Sequence, residues 1–105
     1  MPVTFRDRTN IERGTVGEDG TIGDYVEVAH NAKCTFWETL EKRTAVEGEV
    51  FVASAGALID PAVDVQRRDV LVIRDGRYEV MFVFPGRNLR GVHKFNHAVL
   101  RESDS

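Results

Sequence analysis

The dipeptide Asp75-Gly76 lies between two strand-like runs, and this arrangement constrains the fold more than any other feature of the sequence. The run before it, Val70–Ile73, is continuously apolar and mostly β-branched, as in a buried strand. The run after it, 77–84, alternates apolar and other residues, with Tyr78, Val80, Phe82 and Phe84 predicted on one face. Asp-Gly between two such runs is the strongest short-range signal of an antiparallel hairpin. We therefore predict two paired strands here.

Further strand patterns, separated by turn residues, occur on both sides of this hairpin. They cover roughly 24–30, 33–39, 49–59 and 92–101, and residues 15–16 can pair with the first of them. No segment shows a convincing helical period. Short strands at close spacing are typical of small barrels and sandwiches, and closure hides the sheet edges. The sequence predicts an all-β fold, a small closed or partly open barrel of six to seven antiparallel strands.

The length of 105 residues fits one domain, which we place over residues 1–105. The first 13 residues show no period and are predicted to form a flexible N-terminal arm. The polar segment Leu40–Gly48 is predicted to be a long loop between two strands, and residues 102–105 a frayed tail.

Charge is unevenly distributed along the chain. Residues 1–66 contain 6 Lys/Arg and 12 Asp/Glu, whereas residues 67–101 contain 8 Lys/Arg and 3 Asp/Glu. One interpretation is a solvated surface with scattered charges. The other is a polarised surface that favours contacts with further copies or with ring-shaped partners, rather than wrapping of a nucleic acid.

The chain has one cysteine, Cys34, so an internal disulfide is excluded and a reducing compartment is expected. Because Cys34 lies in an alternating run beside Phe36, we expect a buried structural thiol rather than a nucleophile. The N-terminus does not resemble a signal peptide, and no apolar run is long enough to span a membrane.

The residues that carry catalytic chemistry are sparse. His93 and His97 are four apart, and on a strand such positions lie ~13 Å from each other, too far to share one zinc ion. Ser54 lies between alanines and lacks a nucleophile-elbow motif. We therefore expect no enzyme activity, no metal and no cofactor.

Aromatic residues near basic ones leave an oligonucleotide-binding barrel open as an alternative. Phe82, Phe84, Phe95 and Tyr78 would have to stand out on a strand face among arginines. The competing interpretation is that these rings fill the barrel.

The segment from Asp69 to Glu102 resembles the head-closure, or stopper, proteins that join head and tail in long-tailed phages. The resemblance rests on the hairpin Asp75–Val80, the loop Arg87–Gly91 and the closing Leu100–Glu102, and the alanine-spaced run 53–61 fits as well. The last strand departs from the family pattern, because His93 and His97 are separated where family members often place two histidines together.

The resemblance implies a β-barrel that assembles as a dodecameric ring beneath the portal and its adaptor. Such a ring retains packaged double-stranded DNA without sequence specificity and offers a docking face to the tail terminator or tail tube. It implies a structural virion protein of the neck, assembled in the host cytoplasm, with no membrane partner. Another small tail component, such as a tail completion protein, remains the alternative.

The resemblance also implies roles for three groups of residues. The loop that reaches into the channel corresponds by position to residues 40–48, with Glu41, Lys42, Arg43 and Glu47 as candidates. The inter-ring contact is expected at Arg87, Asn88, Leu89 and Arg90. The arm that docks on the adaptor is expected to use Val3, Phe5 and Ile11.

Overall fold

The computed structural model is a closed barrel of six antiparallel strands, and it describes residues 5–16, 20, 22–44, 50–87 and 93–103. The strands are β1 (Asp7–Val16), β2 (Ile22–Thr44), β3 (Val50–Ile59), β4 (Val70–Ile73), β5 (Gly76–Arg87) and β6 (His93–Glu102). Their order around the barrel is β1-β2-β3-β6-β5-β4. The described residues form no helix. The predicted all-β barrel is confirmed.

The predicted hairpin is formed by β4 and β5, with Ile73 paired to Gly76. The two loop residues are therefore Arg74 and Asp75, one position earlier than the Asp-Gly signal indicates. Both have positive φ angles, 50° and 63°, as a two-residue type I′ turn requires. Arg74 adopts this left-handed conformation although it is not a glycine. Its guanidinium contacts the Asp7 carboxylate at 3.0 Å.

Alternate residues of the strands point into the barrel and form the main core. In one row across four strands, Phe36, Ala57, Ala98 and Val83 pair in register and pack inward. Cys34 and Phe36 are both buried, as their alternation predicts. The small side chains of β3 leave room in the barrel for larger ones; the latter include Ile11, Ile59, Leu71, Val80 and Leu100, all 0% exposed.

β2 is one continuous strand of 23 residues, although its sequence pattern is interrupted near His30-Asn31. Asn31 has a φ of 54° at an irregularity in the pairing with β1, between the pairs Thr9–Ala32 and Ile11–Ala29. The side-chain Oδ1 of Asn10 accepts a hydrogen bond from the Asn31 backbone N–H at 2.8 Å. At this bulge β2 therefore has one residue more than β1, and the left-handed conformation of Asn31 accommodates it without ending the strand.

The predicted N-terminal arm over residues 1–13 is wrong from Asp7 onward, because β1 begins there. Ile11 is 0% exposed and pairs with Leu71 of β4, so it belongs to the core and is not available for docking. Phe5 lies just before the strand and is half-buried, and Val3 lies outside the described residues.

The predicted loop over residues 40–48 is also wrong in part. Residues 40–44 belong to β2, and residues 41–44 pair with residues 50–53 of β3. Residues 45–49 lie outside the described part of the chain. Pairing with an apolar partner strand therefore extends a strand through Glu41, Lys42 and Arg43, despite their charge.

The predicted bounds of the last strands also shift. β5 continues beyond the predicted run 77–84, through Pro85 and Gly86, and ends at Arg87. Glu102, assigned to the frayed tail, is the last residue of β6, and the Ser103 N–H donates to the Arg77 carbonyl at 2.9 Å.

The strand registers place the hairpins at two opposite ends of the barrel. One end carries the β2–β3 hairpin and the β4–β5 turn, with the start of β1 and the end of β6 beside it. The other carries the β1–β2 and β5–β6 hairpins. Residues 22–33 of β2 pair only with β1, and residues 35–44 only with β3, within the described chain. Two-stranded ribbons therefore extend the barrel at both ends.

Candidate interaction surfaces

An aromatic row lies on the outer surface of β2, β3, β6 and β5. Trp37, Gly56, Val99 and Phe82 pair in register across these strands, one position from the inward-facing row of Phe36. The adjacent outward row contains Leu58, His97 and Phe84. Because neighbouring residues of a strand point to opposite faces, these side chains lie outside the barrel.

The rings of this row contact one another along the surface. The ring centroids are 5.5 Å apart for Trp37–His97, 6.2 Å for His97–Phe84, 5.8 Å for Phe84–Phe82 and 5.9 Å for Phe82–Phe51. These separations are typical of attractive aromatic pairs. Phe84 is 47% exposed, while Trp37, Phe82 and His97 are half-buried and Phe51 is buried.

A shallow trough of about 120 Å³ lies at the Trp37 end of the row. Its lining consists mainly of apolar and small side chains: Trp37, Thr39, Ala53, Ala55, Gly56, His97 and Val99. A trough lined by small and aromatic side chains, beside a partly exposed aromatic row, is suited to accepting a side chain of another protein.

The opposite side of the barrel, over β1, β4 and β5, is held by ion pairs. Arg13 contacts both carboxylate oxygens of Asp69 at 2.9 Å, and Asp69 also accepts the Gln66 N–H at 2.8 Å. The Asp69 side chain is 2% exposed, so its charge is satisfied by these bonds rather than by water. Hydrogen bonding to Asp69 raises the pKa of Arg13 above its ordinary value. This contact joins β1 to the segment before β4.

Two further ion-paired groups continue along this side. Glu79 binds both Arg68, at 3.2 Å, and Arg101, and Glu12 binds Arg77 at 2.7 Å. A groove of about 290 Å³ lies beside the Arg13–Asp69 pair. The three arginines that line this groove, Arg13, Arg67 and Arg68, already bind neighbouring groups of the protein. The groove is therefore part of the ion-paired structure and is not assigned as a ligand site.

The described residues contain no group of three or more His, Cys, Asp or Glu side chains that could hold a metal ion. Cys34 is 0% exposed, and burial raises the pKa of its thiol to about 11. It is a buried thiol at neutral pH, as its position in the alternating run predicts. No helix within the described ranges is long and apolar enough to cross a membrane.

The predicted functional residues are distributed as follows. Glu41, Lys42 and Arg43 lie on β2 near the end of the barrel that carries the β2–β3 hairpin, and Glu47 lies outside the described residues. Arg87 ends β5 at the opposite end. Asn88, Leu89 and Arg90 lie outside the described residues. Of the candidates that the structure describes, the three channel-loop residues and Arg87 thus lie toward opposite ends of the barrel.

The outer aromatic row is the surface that sequence reasoning missed. The alternation of Trp37 with the core residues Cys34 and Phe36 indicates an outward Trp37, and His97 and Val99 likewise alternate with Leu100. The expectation that the aromatic rings fill the barrel holds for Tyr78, which packs against the main core. It does not hold for Phe84, which is 47% exposed. Phe82 lies outside the barrel and packs against a second buried cluster of Phe51, Ala53, Met81 and Val99. The pairing of β5 with β6 is irregular between Val80 and Phe82, and both Val80 and Met81 are buried. An added residue at this bulge turns the following rings outward.

Comparison with known proteins identifies the fold. The structure of the phage-like element PBSX protein XkdH from Bacillus subtilis superposes on this chain with a TM-score of 0.57 and 12% sequence identity. The match covers 93% of this chain and 94% of that protein. No protein-family model and no curated protein sequence matches the chain. The two proteins therefore share an overall fold.

Proposed function

We propose that this protein is a structural virion protein of a tailed phage, a head–tail connector that closes the filled head and docks the tail. The observation that carries the proposal is the fold, shared over 93% of the chain with a protein of a phage-like element. The sequence resemblance to head-closure proteins supports it independently, since it rests on residues rather than on backbone shape.

The position of the resembling segment supports the same role. The described part of this segment contains the strands β4, β5 and β6, which are neighbours in the barrel wall. A connector must meet one partner on the head side and another on the tail side, and this barrel has hairpins at both ends. A connector needs no catalytic group, and lack of enzyme activity is part of the proposal.

In this proposal the chain forms a ring of twelve copies in the neck of the virion. The β2–β3 hairpin would face the channel and its DNA, and the β5–β6 hairpin would contact the neighbouring ring. Portal or adaptor proteins on one side and tail terminator or tail tube proteins on the other are the proposed partners. The outer aromatic row, with Phe84 exposed, would add an apolar contact to one of these interfaces.

The proposed channel role is tested by shortening the β2–β3 hairpin. Replacing residues 45–49 with Asn-Gly keeps the Thr44–Val50 pair, which a two-residue loop can close. Filled heads closed by this variant should lose DNA to added nuclease, while heads closed by the wild type stay protected. If both protect equally, the hairpin does not close the channel. If the wild type itself gives no protection, the connector role fails.

One observation favours a second candidate function, an oligonucleotide-binding barrel. Trp37 of β2 and Phe84 of β5 stand on the same outer face of the barrel, with the His97 ring of β6 between them, and such outward rings are what base stacking requires. Titration with single-stranded DNA at several salt concentrations separates the two functions. Micromolar affinity that falls steeply with salt and is lost in Phe84→Ala would favour this alternative.

A further inference from the structure

The outer face of β2, β3, β6 and β5 contains two neighbouring rows of outward side chains, and neither row includes an Asp, Glu, Lys or Arg. One row runs in register through Trp37, Gly56, Val99 and Phe82, and the other through Thr35, Leu58, His97 and Phe84. We call these two rows the neutral face. Charged residues make up 30% of the chain and mostly lie on its surface, so an ordinary solvated face would include some of them. Depletion of charge is typical of the centre of a protein interface.

The neutral face has a projecting ring on one side and a hollow on the other. The projecting ring is that of Phe84 on β5, which is 47% exposed. The hollow is the trough of about 120 Å³, which lies over β3 and is flanked by residues of β2 and β6. An enclosed cavity of roughly 150 Å³ accommodates benzene, so this trough can accept most of a phenyl ring. Only β6 separates β3 from β5, so the hollow and the ring are about 10 Å apart across the strands.

A projecting ring and a hollow on one face are complementary to the same face of a second copy. A two-fold axis that lies between the two faces, above β6, places each Phe84 over the trough of the other copy. His97 lines the trough and its ring is 6.2 Å from that of Phe84, so His97 lies near this axis. A symmetric contact brings identical groups together, which is unfavourable for charged surfaces. The neutral face avoids this cost.

We infer that the neutral face binds a second copy of this chain, so that the free protein forms a reversible two-fold dimer in which each Phe84 enters the partner's trough. Both rings and both hollows are then occupied, so association stops at two copies. Four strands at the usual spacing give a face of roughly 300–400 Å², less than the ~800 Å² that each partner contributes to a stable interface. We therefore expect a weak dimer, with a dissociation constant in the micromolar to millimolar range. The inference goes beyond the proposed connector role, because it concerns the free protein.

The test is a concentration series of the full chain, up to about 1 mM, followed by NMR and by sedimentation equilibrium. Trp37 is the only tryptophan, so its indole N–H gives a single side-chain resonance on the neutral face. This resonance and the backbone amides of the two rows should shift with concentration, whereas those of β4 should not. Sedimentation should show monomer and dimer and no larger species. Because the contact is apolar, the dissociation constant should change by no more than about twofold between low salt and 1 M salt.

Two variants remove the two halves of the contact separately. Phe84→Ala removes the projecting ring, and Thr39→Tyr fills the trough from its lining. Each should weaken dimerisation roughly tenfold or more. An equimolar mixture should associate more tightly than either variant alone, because Phe84 of the Thr39→Tyr copy still fits the open trough of the Phe84→Ala copy.

The matched controls make the same changes in size away from the neutral face. Val28 is 43% exposed and lies in the part of β2 that pairs with β1. Val28→Ala and Val28→Tyr should dimerise as the wild type does. Far-UV circular dichroism and thermal melting verify that every variant is folded.

Three results overturn the inference. The first is a wild type that stays monomeric up to about 1 mM. The second is a set of concentration-dependent shifts confined to another surface, and the third is a mixture that associates no better than its components. None of these results bears on the connector role, which is measured separately by binding to filled heads. Dimerisation without binding to heads would retain this contact and reject the connector.

Discussion

The indole ring of Trp37 lies directly over Gly56, its partner on β3. A Cβ at residue 56 would come within 2.5 Å of Trp37 Cζ2, closer than any side-chain contact allows. Gly56 therefore permits the Trp37 ring to cover the backbone of the neighbouring strand and to reach His97. This pair fixes the position of the outer aromatic row.

Gly56→Ala should displace the Trp37 ring and destabilise the fold by about 1–3 kcal/mol, as overpacking generally does. Trp37 is the only tryptophan, so its fluorescence emission should shift in the variant. Thermal and chemical denaturation measure the stability. In a Trp37→Ala background the penalty of Gly56→Ala should largely vanish. An equal penalty in both backgrounds would show that Gly56 is required for another reason.

Asp69→Asn should destabilise the protein by about 2–3 kcal/mol, because it leaves Arg13 without its two-point partner in a partly buried site. Asp64 offers the matched control, since it contacts the same Arg13 at 3.4 Å but is 74% exposed. Asp64→Asn should change the free energy of unfolding by under about 0.5 kcal/mol. Urea denaturation of both variants checks this ordering. Equal losses would contradict the assignment of Asp69 as the main partner.

Stability should fall in acid partly through Asp7. The Phe36 N–H donates to the Asp7 carboxylate at 2.9 Å and, with Arg74, holds the pKa of Asp7 below its ordinary value of 3.8. A depressed pKa means that Asp7 contributes stability above pH 3.8 and loses it as the pH falls through the lower, folded value. Asp7→Asn should be less stable than the wild type at pH 7, and the difference should narrow below pH 4. A constant difference would exclude this linkage.

Cys34 should react with thiol reagents only when the barrel opens. Burial raises its pKa to about 11, so at pH 7 the thiol of the native protein is protonated. The side chain is also 0% exposed, so a reagent cannot reach the sulfur atom. The labelling rate of the native protein should rise with denaturant in parallel with unfolding. Leu40→Cys in a Cys34→Ala background, at a site that is 81% exposed, should label rapidly under all conditions. Rapid labelling of native Cys34 would contradict the buried position.

Phe84→Ala should weaken binding to filled heads or to the tail by roughly tenfold or more, if the aromatic row contributes an anchoring contact. Because Phe84 is half exposed, the free energy of unfolding should change by less than about 1 kcal/mol. Leu40→Ala, which also removes an exposed apolar side chain, is the control. Equal binding by Phe84→Ala and the wild type would show that the row faces solvent in the assembly.

The features predicted correctly from the sequence are local ones. The β4–β5 hairpin and the inward Cys34 and Phe36 follow from turn residues and alternation within a few positions. The type of fold follows from the number and spacing of such patterns. Each of these depends on neighbours in the chain, which the sequence displays directly.

The features that were missed depend on distant partners. Ile11 is a core residue because it pairs with Leu71, 60 positions later, and Arg13 is fixed by Asp69. Residues 41–44 are a strand because of their pairing with β3, although their own composition favours a loop. The outward turn of Phe84 requires an irregularity in the pairing with β6, which alternation alone does not reveal.

Cryo-electron microscopy of portal-bearing, DNA-filled capsids mixed with the purified protein tests the connector role most directly. We predict a ring of added density at the portal vertex, absent from portal-free shells, into which this barrel fits with its two hairpin ends facing different partners. Capsids with an unaltered portal vertex, and a protein that stays free in solution, would contradict the account.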